Sequence, residues 1–254
     1  NINKKKGKLD IIYSANTISH IPNLNETFKA ISLSLSNDGV FIFEDPYIGS
    51  VLKNNSYDQF YDEHVHLFSF LAISNIIKKF DLRIIDVEIL NTHGGSIRFY
   101  VAKKTSKFKP KNNVKKIYNQ EIKKKFNTIT PYKKFGERVK HSKQKLQKIL
   151  KELKKDGKKI ISYGATYKSA TIFNYCNIGP ELIDFVTDST KNKQGKFTPG
   201  KHIPIIKPVD MVEEEIDYAF LGAWNFLNEI KNKEKKFIKN GGKFITHVPT
   251  VKII

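Results

Sequence analysis

The 254-residue sequence has one cysteine, one methionine, one tryptophan and, among 45 basic residues, only three arginines. A lone Cys176 excludes an internal disulfide framework and any cysteine-based zinc cluster within these residues, so no metal site is expected in them. Cysteine poverty also suits a reducing cytoplasm, the expected location. No apolar run approaches the roughly 20 residues of a membrane helix, so no bilayer span is expected. The opening NINKKKGKLDII lacks an initiator Met, a secretory core and a cleavage site. Scarce arginine argues against base readout in nucleic acid, which leans on bidentate Arg, even though the formal net charge is +20. That charge is concentrated. Residues 103–158 hold 21 Lys and Arg against four acids, which leaves the flanks nearly neutral. A solvated basic connector is expected there, and nucleic acid is not the expected partner. A salt-sensitive RNA-binding surface is the alternative such a stretch leaves open.

What is present points to packed α/β structure. Apolar residues make up 39% and aromatics 12% of the chain, enough for a sizeable core. Leu9–Ser14 and Gly39–Glu44 read as buried strands, with helical spacing from Asn25 to Leu35 and a turn at Ser36–Gly39 between them. That is a βαβ unit. A helix follows over Ser69–Phe80, then two strands, Leu82–Ile89 and Ser96–Ala102, joined by a Gly-Gly turn. In the basic stretch, Leu146, Ile149, Leu150 and Leu153 form an apolar helical stripe. Beyond Gly157, strands are predicted at Lys159–Ser162, Leu182–Thr187, Ile203–Ile206, Tyr218–Leu221 and Lys243–His247, with helices at Ser169–Cys176 and Asn225–Lys239. The first sheet has few strands and no Gly-rich cofactor turn, so the chain is expected to begin inside a domain.

Three segments carry candidate chemistry. The densest is Tyr57–His66 (YDQFYDEHVH). A histidine suits a general base, and a neighbouring carboxylate orients it. Tyr61 stands one helical turn before His64 and suits donation to an oxyanion. A surface loop with hydrogen-bonding histidines fits the same composition. The second is Ser14–Pro22, directly after the first strand, where ligands of open α/β sheets lie and where Asn16 and His20 fall; helix capping by Asn16 or Thr17 fits equally. The third is Tyr163–Ser169, a small-residue turn entering a helix, where backbone amides and Lys168 suit an anion such as a diphosphate. It lacks Walker spacing. The polar stretch Asp188–Gly200 suits either a binding loop or a plain surface loop.

Taken in order, NTISHIPN, YDQFYDEHVHLFS, GGSIRFYV and a C-terminal set (ISYGATYKSATIFNY, KQGKFTPGKHIPI, WNFLNEI, GGKFITHVP) resemble the S-adenosylmethionine-dependent C-methyltransferases of nucleotide-linked deoxysugars. The resemblance implies the C-terminal part of a Rossmann-like methyltransferase domain (residues 1–102), a basic helical connector (103–156) and a second Rossmann-like α/β domain (157–254). It places the zinc cysteines and the Gly-rich donor loop upstream of Asn1. It makes S-adenosylmethionine the methyl donor and a nucleotide-sugar the partner, with a 4-keto group acidifying the adjacent C–H. By resemblance His64 is the base and Tyr61 and Glu63 are its neighbours. His20 and Asn16 form a pocket wall, with Asn16 and Thr17 toward the donor. Tyr163, Gly164, Lys168, Lys193 and Gly195 fall to substrate binding, and Gly94, Gly95, Ser96 and Arg98 to a structural or pocket-lining role. One departure stands out: Asp62 occupies the first position of the family's H-E-H triplet. O- or N-methyl transfer to a related sugar is the alternative on the same fold.

Overall fold

The computed structural model describes residues 7–254. The chain divides into two compact units, the first running up to Lys53 and resuming at Asp62–Lys134, the second made of Asn54–Tyr61 and Phe135–Ile254. No helix among the described residues is long and apolar enough to cross a membrane.

The first unit is an α/β layer. Its strands are β1 (Leu9–Ala15), β2 (Leu35–Pro46), β3 (Leu82–Leu90) and β4 (Ser96–Lys103). They lie in the order β1-β2-β4-β3, with β1 parallel to β2 and β4 antiparallel to both its neighbours. Its helices are α1 (Leu24–Ser34), α2 (Ile48–Asn54, which ends at the unit boundary), α3 (Phe70–Ile77) and α4 (Asn112–Lys123). Asn23 caps α1 by accepting the Glu26 amide, and Glu26 places a negative charge in the first turn, where the helix dipole favours it. Leu24, Phe28 and Ile31 then form the buried stripe of α1. Phe28 meets Phe41 and Phe43 of β2 edge-on, and Phe43 stacks on Phe99 of β4 at 4.9 Å. Removing one such buried ring costs about 3–5 kcal/mol.

The strand predicted to start at Gly39 begins at Leu35, because the predicted turn is absorbed into it. Pairing jumps from Leu9↔Leu35 to Ile11↔Val40, so Ser36–Gly39 bulges out of register. A Cβ on Gly39 would lie 2.6 Å from the Leu9 carbonyl oxygen, so only glycine fits the bulge.

The second unit carries a six-stranded sheet: β5 (Ile160–Tyr163), β6 (Phe185–Thr187), β7 (Ile205–Ile206), β8 (Tyr218–Leu221), β9 (Lys243–Thr246) and β10 (Lys252–Ile253). The order is β10-β9-β8-β5-β6-β7, parallel except for β10. The unit boundary falls within the 26-residue α5 (Thr130–Lys155). Phe135, Val139, Leu146 and Leu150 form its buried stripe, extending the predicted one toward the N-terminus. The helix α6 (Tyr167–Cys176) follows β5. Two differences from the sequence reading stand out. The edge strand β10 has only two residues and gives no period to detect. The helix predicted over Asn225–Lys239 is broken into α7 (Leu227–Lys233) and α8 (Lys235–Lys239) at Glu234, whose φ of −99° and ψ of 35° are not helical. At the break, Glu234 Oε1 accepts the Tyr163 hydroxyl at 2.8 Å.

Candidate functional site

In the first unit the candidate residues gather beyond the carboxyl ends of β1 and β2. Asn16 follows β1 with φ +49°, and its amide donates to the Glu44 carbonyl at 2.8 Å, pinning the chain exit to β2. Asparagine tolerates this left-handed conformation better than most residues. Its Nδ2 lies 3.2 Å from His93 Nε2. His93 is also at positive φ, in the turn before β4, and is a site neighbour that sequence reading left unassigned. Thr17 is exposed and its hydroxyl donates back to the Ala15 carbonyl at 3.0 Å. A 3-10 turn, Ile18–His20, then presents the His20 ring. The His64 ring stands 5.4 Å from it, centre to centre, tilted by 59°.

The loop holding His64 has its own ties. The His66 amide donates to the Ser19 carbonyl at 3.0 Å, and the His66 ring stacks on Phe68. Glu63 is exposed, as is Asp62. Gly95 (φ +120°) is required, since a Cβ would fall 2.4 Å from the Ser50 Cβ; its carbonyl accepts the Tyr47 amide at 3.1 Å. Ser96 is buried, and its hydroxyl donates to the Thr92 carbonyl at 3.2 Å. Arg98 binds the buried Glu44 carboxylate through Nε at 2.8 Å and Nη2 at 2.6 Å, which pushes the guanidinium ionisation up. The Gly94–Ser96 turn and Arg98 thus brace the ends of the strands carrying the site.

Tyr61 belongs to the second unit, where its ring stacks on Tyr167 at 5.6 Å. Beyond the carboxyl ends of β5, β6 and β8, at the β5–β8 point where the strand order reverses, lies a cavity of about 380 Å³ whose lining includes Tyr163, Gly164, Asp188, Lys193 and Glu234. This is where open α/β sheets hold ligands. Burial pushes the Tyr163 phenol up, and its bond to Glu234 adds to that. Gly164 (φ +96°) donates its amide to the Thr187 carbonyl at 2.9 Å. Burial raises Asp188, but hydrogen bonds from Thr190 and Ala165 and the Lys193 charge outweigh it, so its carboxyl stays below the usual range. Lys193 Nζ donates to the Ala165 carbonyl at 2.7 Å. Gly195 (φ +75°) joins the sheet edge through its amide to the Ile205 carbonyl at 2.9 Å.

Three amides of the small-residue turn are already engaged. Ala165 donates to Asp188, Thr166 donates to the Ser169 hydroxyl, and Ser169 donates to the Thr166 hydroxyl in a reciprocal cap. Lys168 is half-buried, its Nζ 5.4 Å from the centre of the Trp224 ring. Burial lowers its ionisation and the Asp58 charge opposes that shift. The cavity lining does not include Lys168 or Gly195.

Asp58, within the YDQF run, is a fully buried node. Its Oδ2 accepts the Trp224 indole N–H at 2.6 Å, and Oδ1 lies 3.4 Å from His247 Nε2, at ion-pair distance but outside hydrogen-bond alignment. Burial raises this carboxyl, and the His247, Lys168 and Trp224 contacts outweigh it, so the net direction is down. Among the described residues no three His, Cys, Asp or Glu side chains gather as a metal site.

A family description, the C-methyltransferase C-terminal domain, matches residues 91–249, and a methyltransferase domain matches residues 1–87. The chain belongs to the C-methyltransferase family. C-methyltransferase NovU of Streptomyces niveus is 32% identical over 250 residues, which is 98% of this chain and 60% of that protein. The chain therefore spans about 60% of the length of this curated C-methyltransferase. Among solved structures, N-methyltransferase NodS from Bradyrhizobium japonicum WM9 aligns with 12% identity over 38% of this chain and 52% of its own, at a TM-score of 0.29. A complex titled M1.HpyAVI-SAM aligns with 15% identity over 44% of this chain and 52% of its own, at 0.27.

Proposed function

We propose that the intact protein is an S-adenosylmethionine-dependent C-methyltransferase of a nucleotide-linked 4-keto-deoxysugar, with His64 as the base. The observation that carries this reading is the pairing of the His64 and His20 rings, 5.4 Å apart, beyond the carboxyl ends of β1 and β2 in a chain of this family. A ketone acidifies the neighbouring C–H; His64 removes that proton, and the electron pair moves into an enolate. A positioned base contributes about 10²–10⁴-fold. Fixed donors around the ketone oxygen stabilise the enolate more than water does. His20 belongs to this wall, and Tyr61 and Glu63 are proposed with it on the family resemblance.

Asn16 and Thr17 fit the edge of a donor site: they stand at the strand exit, and the Asn16 main chain is held by Glu44. They would hold S-adenosylmethionine, which when bound supplies an electrophilic methyl on a sulfonium. Methyl transfer then needs alignment above all, and holding two reactants supplies about 7–11 kcal/mol. The cavity lined by Tyr163, Gly164 and Lys193 suits the nucleotide portion, since its lining offers both a cation and an aromatic ring. Lys168 and Gly195 are proposed to support that subsite from α6 and the sheet edge.

The test is product analysis. The intact protein is given methyl-labelled donor and a nucleotide-linked 4-keto-deoxysugar, and the label is located by carbon NMR. A carbon-bound methyl is expected. An oxygen- or nitrogen-bound methyl would replace this reading with the related transfer that needs no carbon acid.

A further inference from the structure

The carboxyl end of β2 holds a group that the proposed chemistry leaves unused. Asp45 is fully buried, and its Oδ1 accepts the Ser19 amide at 3.1 Å. Ser19 is equally buried and immediately precedes His20. Its carbonyl accepts the His66 amide at 3.0 Å. One carboxylate therefore holds the main chain of the turn bearing His20, and the same turn holds the loop bearing His64, two residues before His66.

This carboxylate is expensive to keep there. Burial pushes its ionisation up, and the contacts with Ser19 and the neighbouring His20 only partly offset that. Asp45 Oδ2, Ser19 Oγ and His20 Nε2 are all buried without a hydrogen bond. A buried carboxyl costs more to desolvate than an apolar side chain of its size, so its presence here marks a constraint other than packing. The feature those costs accompany is the arrangement of the two imidazoles.

We propose that Asp45 is the positioning residue of this site: by accepting the Ser19 amide it sets the turn bearing His20 and, through the Ser19 carbonyl, the loop bearing His64, and so fixes the two rings at their separation. The assignment rests on the reading of His64 as base for its catalytic consequence, not for its structural one. Asparagine at this position keeps the acceptor oxygen at the same reach; alanine removes it. A displacement of about 1 Å at a reacting group is enough to cost on the order of 10²-fold.

The experiment uses the intact protein with isotope-labelled histidine, in wild type, Asp45→Asn and Asp45→Ala, each checked for folding by far-UV circular dichroism. One readout is the through-space NMR cross-peak between the His20 and His64 rings. The other is solvent-deuterium exchange at the sugar carbon beside the ketone, separated into kcat and KM. Asp45→Ala is expected to lose the cross-peak and to drop exchange kcat about 10- to 100-fold with KM within about twofold. Asp45→Asn is expected to keep the cross-peak and stay within about threefold in kcat. Should the alanine variant not fold, Asp45→Ser, too short to reach the Ser19 amide, takes its place. A cross-peak retained in the alanine or serine variant, or not restored by asparagine, overturns the assignment. A cross-peak lost with exchange unchanged instead removes His64 as the base and leaves the positioning role of Asp45 standing.

Discussion

Replacing Glu121 by alanine should cost far more than its setting in a lysine-rich helix suggests. Glu121 is one of only four acids in residues 103–158, yet it is fully buried. One oxygen accepts the Phe70 amide at 2.8 Å and the Tyr47 hydroxyl at 2.9 Å, and the other accepts the Leu71 amide at 3.0 Å. It therefore caps α3 from α4, adding to the cap that Ser69 provides through the Ala72 amide. Alanine would strand two amides and a phenol. Each buried donor left unpaired costs about 1–3 kcal/mol, and water reaching the part-buried Leu71 amide trims the sum to about 3–5 kcal/mol. For units of this size that is about 10–20 °C in melting temperature. Glutamine keeps an acceptor and should recover more than half of the loss. Burial raises the Glu121 ionisation, and its amide partners only partly offset this. The folded state thus holds the proton more tightly than the unfolded one, so the stability this group contributes is full below its unfolded value of about 4.5 and declines as pH rises through the folded value. Glutamine should remove that slope. Thermal melts by circular dichroism give the stability, and hydrogen exchange of the Phe70 and Leu71 amides gives the mechanism. A melting temperature within 1 °C of wild type (roughly the error of the method), or unchanged protection at both amides, would refute the reasoning.

Three further outcomes follow from the packing. Asp58→Ala should destabilise the second unit by about 3–5 kcal/mol, because it leaves the Lys168 charge and the Trp224 N–H without their buried partner; Trp224, the only tryptophan, reports this in urea by fluorescence. Because the Asp58 ionisation is depressed in the fold, its contribution should be present above the ordinary aspartate value and fade as pH falls through the folded one, a slope absent in Asp58→Asn. Gly39→Ala should cost about 1–3 kcal/mol by forcing a Cβ against the Leu9 carbonyl, whereas Gly136→Ala, in open space on α5, should gain about 0.5–1 kcal/mol; paired denaturation curves compare them.

The legibility of this fold follows the physics of each element. The strands β1 to β4 and the β5, β8 and β9 segments were readable because their apolar runs are bounded by turn residues, and α1 because its apolar residues recur at helical spacing. The resemblance blocks located the family. They did not show why those blocks matter: YDQF, WNFLNEI and GGKFITHVP meet at Asp58, Trp224 and His247, a burial that no local pattern encodes. Asp45, Glu121 and His93 were equally invisible, because a polar residue's partner lies 26 to 77 positions away in these cases. The break at Glu234 was hidden as well, because its non-helical φ and ψ fall in a run of residues with good helix propensity.

The most direct test of the central claim is the loss of a substrate C–H signal in heavy water. The intact protein is mixed with a nucleotide-linked 4-keto-deoxysugar in D₂O and followed by proton NMR, beside its His64→Ala variant. The account predicts that wild type exchanges the hydrogen next to the ketone, and that His64→Ala does so about 10²–10⁴-fold more slowly while binding the methyl donor as before. Exchange by His64→Ala at the wild-type rate would contradict it.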